Sequence, residues 1–364
     1  MPTKILYICG TFAPAAGGAE QSAHALLRAL QNDYQIAVVT GYGADGGIPK
    51  ANGSISVRYA AHAERVQICE ENIRNFRPDV ILTQLLWSDF AMALGAKHRI
   101  PTIVRICKVP FGKDYLQRHI PQRMIAISAF VSRYLLAEHA LPSVVIPPLI
   151  DLGEVCAPDA LRGAAPYITT FNPVRQKGGD LFRKIAERAP GRRFGWVRGW
   201  DVLRTSNGGF DSDRCQAICE SLSIRFSGGM PVDEDFSALP NVHRIECAFP
   251  PAPIYRCSRL VLIPSRWPEA FGRVAIEAMA NRIPVLGTDV GGLGELVRGG
   301  GMALPLDHPN AWLDAIATLD QRDAYEEAGE KGWHFLKSVY DSEKIVAATR
   351  AAIESVLANS QPVP

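Results

Sequence analysis

Short apolar runs bounded by turn residues alternate along the chain with longer stretches of helical period. In the first half the runs are Ile5–Cys9, Ile36–Thr40, Val80–Thr83, Thr102–Ile106, Met124–Ile127 and Val144–Pro147. In the second half they are Tyr167–Phe171, Phe194–Val197, Leu260–Pro264, Pro284–Gly287 and Met302–Leu304. None alternates apolar with polar residues, as expected of strands covered on both faces, so they predict parallel sheets between helices. Helical period fills the gaps at Glu20–Gln31, Ala63–Phe76, Ala91–His98, Ala129–Glu138, Asp180–Ala189, Phe271–Asn281 and Asn310–Thr318. Strand followed by helix, repeated in this way, predicts a doubly wound α/β architecture.

The rhythm breaks once, in the proline-rich stretch PPLIDLGEVCAPDALRGAAP between Pro147 and Pro166. A linker there divides the chain into residues 1–155 and 156–342, with a last helical segment in 343–364. The length of 364 residues fits two domains of ~100–200 residues each. Ligands of such folds bind outside the carboxyl ends of the strands, so a cleft between the halves is the expected site.

Composition narrows the function classes. Lys+Arg 39 against Asp+Glu 37 leaves a formal charge of +2, which argues against nucleic acid as the main partner. No apolar run approaches the ~18 residues of a membrane span, and Met1–Gly10 reads as a first buried strand rather than a signal peptide. The eight cysteines are dispersed and form no C-x-x-C pair. Cys215 and Cys219, four apart in a helical pattern, are a weak zinc candidate. The expectation is a reduced, cytoplasmic, enzyme-sized protein.

The richest chemistry lies in Pro264–Glu295, PSRWPEAFGRVAIEAMANRIPVLGTDVGGLGE. A strand ends at Pro264, a loop carries Glu269, and a helix opens near Phe271-Gly272. The first turn of such a helix offers backbone amides and a positive dipole to an anion. Gly272 allows close backbone approach. Glu269 and Glu277 are separated by seven residues, which on a helix is roughly 10 Å, about the length of a diphosphate joining two sugars. Two such carboxylates could accept hydroxyls at either end of a nucleotide sugar. Read without a ligand, the same stretch is a capped amphipathic helix with Glu269 at its N-terminus and Glu277 solvated.

The Glu269/Glu277 pair, Phe271-Gly272 between them and Gly291-Gly292 beyond resemble the retaining glycosyltransferases of family 4, which have the GT-B fold of two Rossmann-like domains facing a cleft. The resemblance implies that Glu269 binds donor-sugar hydroxyls and Glu277 the ribose. It places the amides of Phe271 and Gly272 at the transferred sugar, and Arg273 and Val274 beside the diphosphate. Gly17-Gly18, after the first strand, is a weak signal alone; the resemblance sets that loop over the diphosphate. In FNPVRQKGG, Lys177-Gly178 match a phosphate-binding Lys, while Asn172 stands where relatives carry an Arg. Neutralisation then falls on Lys177, helped by Arg175 or Arg266. Cys107 aligns near a position where many relatives have His, and a buried structural thiol is the expected reading. The last helix is expected to return to the first domain, as in similar proteins.

Three further signals compete. Asp211-Ser212-Asp213 and Asp233-Glu234-Asp235 resemble an Asp-x-Asp metal site but sit in loop-like sequence, so solvated loops are expected and no metal is assigned. His24 is expected to be satisfied locally. Lys97–Arg123 collects seven Lys/Arg and one acid, a candidate surface for an anionic acceptor or a peripheral membrane contact. The function expected is metal-independent, retaining transfer of a hexose from a UDP- or GDP-sugar to a small-molecule, glycan or lipid-linked hydroxyl, with no bound cofactor. The alternatives are a nucleotide-sugar 2-epimerase and a non-catalytic sugar-nucleotide binding subunit.

Overall fold

In the computed structural model, which describes residues 2–12, 17–42, 55–60, 64–85, 87–109, 119–157, 164–198, 226–227, 230–231, 234–248 and 250–359, the apolar runs form two parallel sheets. The first contains β1 (Lys4–Thr11), β2 (Gln35–Tyr42), β3 (Ile55–Tyr59), β4 (Val80–Gln84), β5 (Thr102–Ile106), β6 (Arg123–Ala126) and β7 (Val144–Val145). Their order is β3-β2-β1-β4-β5-β6-β7, and every neighbouring pair is parallel. The second contains β8 (Tyr167–Phe171), β9 (Phe194–Val197), β10 (Val242–Ile245), β11 (Ser258–Ile263), β12 (Val285–Gly287) and β13 (Met302–Ala303). Its order is β10-β9-β8-β11-β12-β13, again all parallel. The strand order reverses between β1 and β4 in one sheet and between β8 and β11 in the other. At such a reversal neighbouring loops leave on opposite sides and open a crevice.

Residues 1–149 with 342–364 form one compact unit, and residues 150–341 form the other. The sequence predicts a boundary at 155/156, whereas the compact units divide at 149/150. The structure sets it earlier because the short helix Leu152–Val155 is tied to the helix Arg273–Ala280 through Asn281. The Asn281 amide donates to the Val155 carbonyl at 3.2 Å and accepts from Ala157 N–H at 2.8 Å. The last helix, Ser342–Ala358, belongs to the first unit. Arg350 pairs with Asp33, and Arg123 Nη2 donates to Ser355 Oγ at 2.6 Å.

Each sheet is sealed by apolar side chains. Leu6, Ile8, Val39, Ile81 and Leu94 are buried in the first unit. In the second, Phe182 meets Phe194 edge-on at 5.6 Å, and Trp312 is 0% exposed among Ile168, Leu260 and Leu262. The Trp312 indole N–H donates to the Pro305 carbonyl at 2.9 Å, so its polar edge is satisfied. Among the described residues no helix is long and apolar enough to cross a membrane. Trp312→Ala should lower the stability of the second unit by about 3–5 kcal/mol; an unchanged urea midpoint would contradict this packing.

Candidate functional site

Two loops leave the carboxyl ends of β8 and β11, the strands flanking the reversal of the second sheet. The loop after β8 turns at Asn172, whose φ of +49° lies in the left-handed region that Asn enters more readily than most residues. Its backbone N–H donates to the Val197 carbonyl at 2.7 Å. A single 3-10 turn, Arg175–Lys177, follows and ends at Gly178. Gly178 has φ +79°, and a Cβ there would stand 1.8 Å from the Pro264 carbonyl oxygen of the other loop. The loops are laced as well as packed: Arg266 and Trp267 N–H donate to the Gln176 carbonyl at 2.9 and 3.0 Å.

The second loop runs Pro264–Gly272 into the helix Arg273–Ala280, with Gly272 as its N-cap at φ +102°. Gly272 has no side chain to close the first turn. Behind the loop, Thr288 Oγ1 donates to the Ser265 carbonyl at 2.6 Å, and Gly292 N–H donates to the Glu269 carbonyl at 2.6 Å. A Cβ on Gly291 would approach the Glu269 carbonyl oxygen to 2.4 Å, and one on Gly292 the Ala270 oxygen to 2.5 Å. The glycine pair therefore acts as a backbone platform for the Glu269 loop.

This frame brings together Lys177 and Glu269, whose Nζ and Oε1 lie 2.5 Å apart. Ser265 Oγ donates to the same carboxylate oxygen at 3.0 Å. One turn into the helix, Arg273 Nε donates to Glu277 Oε1, and Tyr255 O–H donates to Oε2 at 2.6 Å. Glu277 is 4% exposed, which corrects the solvated reading of that residue. Burial, followed by the Glu277 charge, raises the Tyr255 hydroxyl well above its ordinary value, so it remains a donor. A cavity of about 140 Å³ is lined by Asn172, Lys177, Glu269, Gly272, Arg273 and Val274, beside the Phe171 strand end. A larger cavity of about 680 Å³ touches Arg259 at the opposite, amino-terminal end of β11. There Asp320 holds Arg192 and Arg259, and Glu330 holds Arg282.

Arg266 is not available to this cavity in the way the sequence suggested. Its guanidinium is held by Asp180 at 2.8 and 3.2 Å and by Asp307 at 3.4 Å. Arg175 is exposed on the 3-10 turn. Tyr255 was not legible in the sequence. It stands alone at the end of the short helix Ala252–Arg256, with no motif or period to mark it.

In the first unit Gly17 is the N-cap of the helix Gly18–Leu30, with no side-chain cap bond. Polar side chains from three strand ends hold its first turns. Thr11 Oγ1 donates to Glu20 at 2.5 Å, Gln84 Nε2 to the Ala19 carbonyl at 2.8 Å, and Arg105 Nη2 to Ser22 Oγ at 3.2 Å. Arg105 is 2% exposed and also donates to Gln84 Oε1 at 3.0 Å. Cys107 lies beside this network, and burial pushes its thiol up to about 11. His24 meets Phe12 edge-on at 6.1 Å.

The remaining candidates disperse. Lys97 and His98 both meet Glu70, at 2.6 and 2.9 Å. With Arg105 buried and Arg123 on Ser355, the described members of the basic stretch occupy different surroundings. Asp235 accepts from Ser237 N–H at 2.9 Å, closing its own turn. Asp211-Ser212-Asp213, Asp233, Cys215 and Cys219 lie outside the described residues.

Two doubly wound parallel-sheet units, one with a charged, glycine-framed cavity at its reversal point, have the architecture of the GT-B fold. A family model described as Glycosyltransferase Family 4 matches residues 16–154, and one described as Glycosyl transferases group 1 matches residues 227–322. Both matches are to glycosyltransferase families, one lying mostly in the first unit and the other within the second. The chain is 36% identical over 108 residues to the lipopolysaccharide core biosynthesis mannosyltransferase LpsB of Rhizobium meliloti, covering 28% of this chain and 30% of that protein. It is 47% identical over 79 residues to the D-inositol 3-phosphate glycosyltransferase of Nocardia farcinica, covering 21% and 17%. The matched stretches thus span less than a third of either relative. Among solved structures, Anabaena Alr3699/HepE in complex with UDP-glucose is similar over 97% of this chain and 99% of its own, with TM-score 0.73 and 16% identity. Sucrose-phosphate synthase from Thermosynechococcus elongatus covers 98% and 100%, with TM-score 0.72 and 18% identity.

Gly178→Ala should destabilise the second unit by at least ~1–3 kcal/mol, because strain at a left-handed position adds to the clash with Pro264. Gly191→Ala, where a Cβ meets nothing within 4 Å, is the control, expected to stay within ~0.5 kcal/mol. Equal melting temperatures for the two variants would contradict the loop packing. Cys107 should alkylate far more slowly than a free thiol at pH 8 and accelerate only as pH nears about 11, where its thiolate forms. Site-resolved mass spectrometry after iodoacetamide reads this directly, and rapid labelling at pH 8 would refute the raised thiol of this half-buried residue.

Proposed function

We propose that this protein transfers a hexose-type sugar from a UDP- or GDP-sugar to a hydroxyl of a small-molecule, glycan or lipid-linked acceptor. Transfer proceeds with retention and without a metal ion, in a cytoplasmic setting suited to dispersed cysteines. One observation carries the reading: Lys177–Glu269 and Arg273–Glu277 line or adjoin one cavity at the first turn of a glycine-capped helix. A diphosphate needs cations and amides, and the sugars flanking it need hydrogen-bond acceptors. Both kinds of group stand side by side here, as Lys177 with Glu269 and Arg273 with Glu277. The complex of Anabaena HepE with UDP-glucose supports the same ligand class for this fold.

In this mechanism the acceptor oxygen bonds to the anomeric carbon as the bond from that carbon to the β-phosphate oxygen breaks. The acceptor proton passes to the departing phosphate on the same face. Negative charge growing on that phosphate is met by Lys177 and by the helix amides near Phe271–Arg273. Glu269 accepts from the sugar hydroxyls and Glu277 from the ribose. Gly17 and Gly18 open the helix of the first unit that the family resemblance assigns to the donor.

A thermal-shift panel of UDP-, GDP- and dTDP-sugars identifies the donor, since a ligand at 100 times its Kd stabilises by about 2.7 kcal/mol. With that donor, slow hydrolysis should occur in the wild type, fall by ~10²–10³-fold in Lys177→Ala and be unchanged by EDTA. NMR of the glycoside formed should show the donor's anomeric configuration. Net inversion would overturn retention, an epimerised product would indicate a 2-epimerase, and binding without turnover would indicate a non-catalytic subunit.

A further inference from the structure

Of the positive side chains near the cavity, Arg266 is held by Asp180 and Asp307, and Arg175 is exposed. Asn172 lines the cavity and is neutral. Among the described residues, Lys177 and Arg273 are the two cations in the cavity lining. The Arg273 side chain is only 14% exposed and its Nε is fixed on Glu277. Arg273 lies in the cavity lining, and a guanidinium held in one orientation can grip an oxyanion through paired contacts. Glu277 is held in turn from its other oxygen by the buried Tyr255 hydroxyl at 2.6 Å. Tyr255 is itself fixed: it is 1% exposed, and its ring lies 5.9 Å from that of Phe171 at the end of β8.

We propose that Arg273 is the second phosphate-binding cation of this site, sharing the donor's β-phosphate with Lys177, and that Tyr255 and Glu277 are positioning residues holding its guanidinium at the cavity. The proposal rests on the donor reading above. It assigns the charge that neutral Asn172 lacks to a side chain on the other loop. It also gives Glu277 a role in orienting a cation that is separable from any contact with ribose. The chain Tyr255–Glu277–Arg273 passes from a buried hydroxyl through a buried carboxylate to a partly open guanidinium. Each link restricts the next, so less rotamer freedom is lost when the anion arrives.

The test is calorimetric titration of the full chain with UDP, GDP and ADP and with the matching monophosphates. The wild type should bind at least one diphosphate more tightly than its monophosphate. Arg273→Met should reduce that preference by ~10- to 100-fold, the weight of a charge-assisted contact, with monophosphate affinity little changed. Arg273→Met leaves a buried carboxylate without its cation, so the charge-neutral pair Arg273→Met/Glu277→Gln is measured beside it and should show the same loss. Tyr255→Phe should weaken diphosphate binding by ~3- to 10-fold in the wild-type background and have no effect in Arg273→Met, because it acts through the guanidinium. Arg273→Lys should restore part of the preference. An unchanged preference in both Arg273 variants overturns the assignment while leaving the donor reading intact. An equal Tyr255→Phe effect in both backgrounds overturns the positioning chain. A wild type that binds no diphosphate better than its monophosphate overturns the donor reading, and this proposal with it.

Discussion

A single close approach sets the geometry on which the charged site depends. The α-carbon of Gly178 lies against the Pro264 carbonyl, where no larger residue fits. That contact fixes the separation of the loops leaving β8 and β11. The Lys177 ammonium can reach Glu269 only if those loops stay at that distance. Gly291 and Gly292 impose a like constraint, their backbone lying against that of Glu269 and Ala270. Side-chain chemistry here is thus governed by places where side chains are missing. Hydrogen bonds from Arg266, Trp267 and Thr288 to backbone carbonyls then pin the approach in register.

The two ion pairs have different surroundings and different meanings. Lys177 and Glu269 are partly open to solvent, so their attraction is screened and easily exchanged for a better partner. Glu277 is nearly sealed, and ionising it there is tolerable only because Arg273 and Tyr255 hydrogen-bond both oxygens. Buried pairs of this kind contribute little net stability, because desolvation offsets attraction. They do hold orientation. The first unit repeats the theme with Arg105, a fully buried guanidinium satisfied by Gln84 and Ser22 behind the Gly17-Gly18 turn. In both units, polar groups at strand ends brace a helix that opens on glycine.

Much of the fold was legible because central parallel strands are continuous apolar runs. Tyr167–Phe171, Phe194–Val197 and Thr102–Ile106 are strands at the bounds their composition suggests. β3 and β10 escaped notice because edge strands are half-covered: ISVRY and VHRI mix polar residues into the run. The helix Arg322–Val339 escaped for a different reason. Its inward stripe is Tyr325, Gly329, Gly332 and Leu336, so half of its packing signal is glycine rather than bulk. Gly329 packs on the Arg282 carbonyl and Gly332 on that of Gly300, contacts that hydrophobicity cannot report. The helix Gly291–Gly300 has poor intrinsic propensity and forms through tertiary packing. In the site, spacing exposed Glu269, Glu277 and Lys177. It could not expose Tyr255, which reaches Glu277 only through the fold, nor the diversion of Arg266 to Asp180 and Asp307.

The helix Ser342–Ala358 completes the first unit although the whole of the second is made before it. Its partners Asp33 and Arg123 emerge from the ribosome early and remain without it while Ile150–Asp341 is synthesised. At about 5–20 residues per second, that interval is roughly 10–40 s. For that time the nascent first unit presents the surface that this helix covers. The first unit is therefore open to chaperone capture or aggregation until this helix has been made, and folding of the two units is interleaved in time.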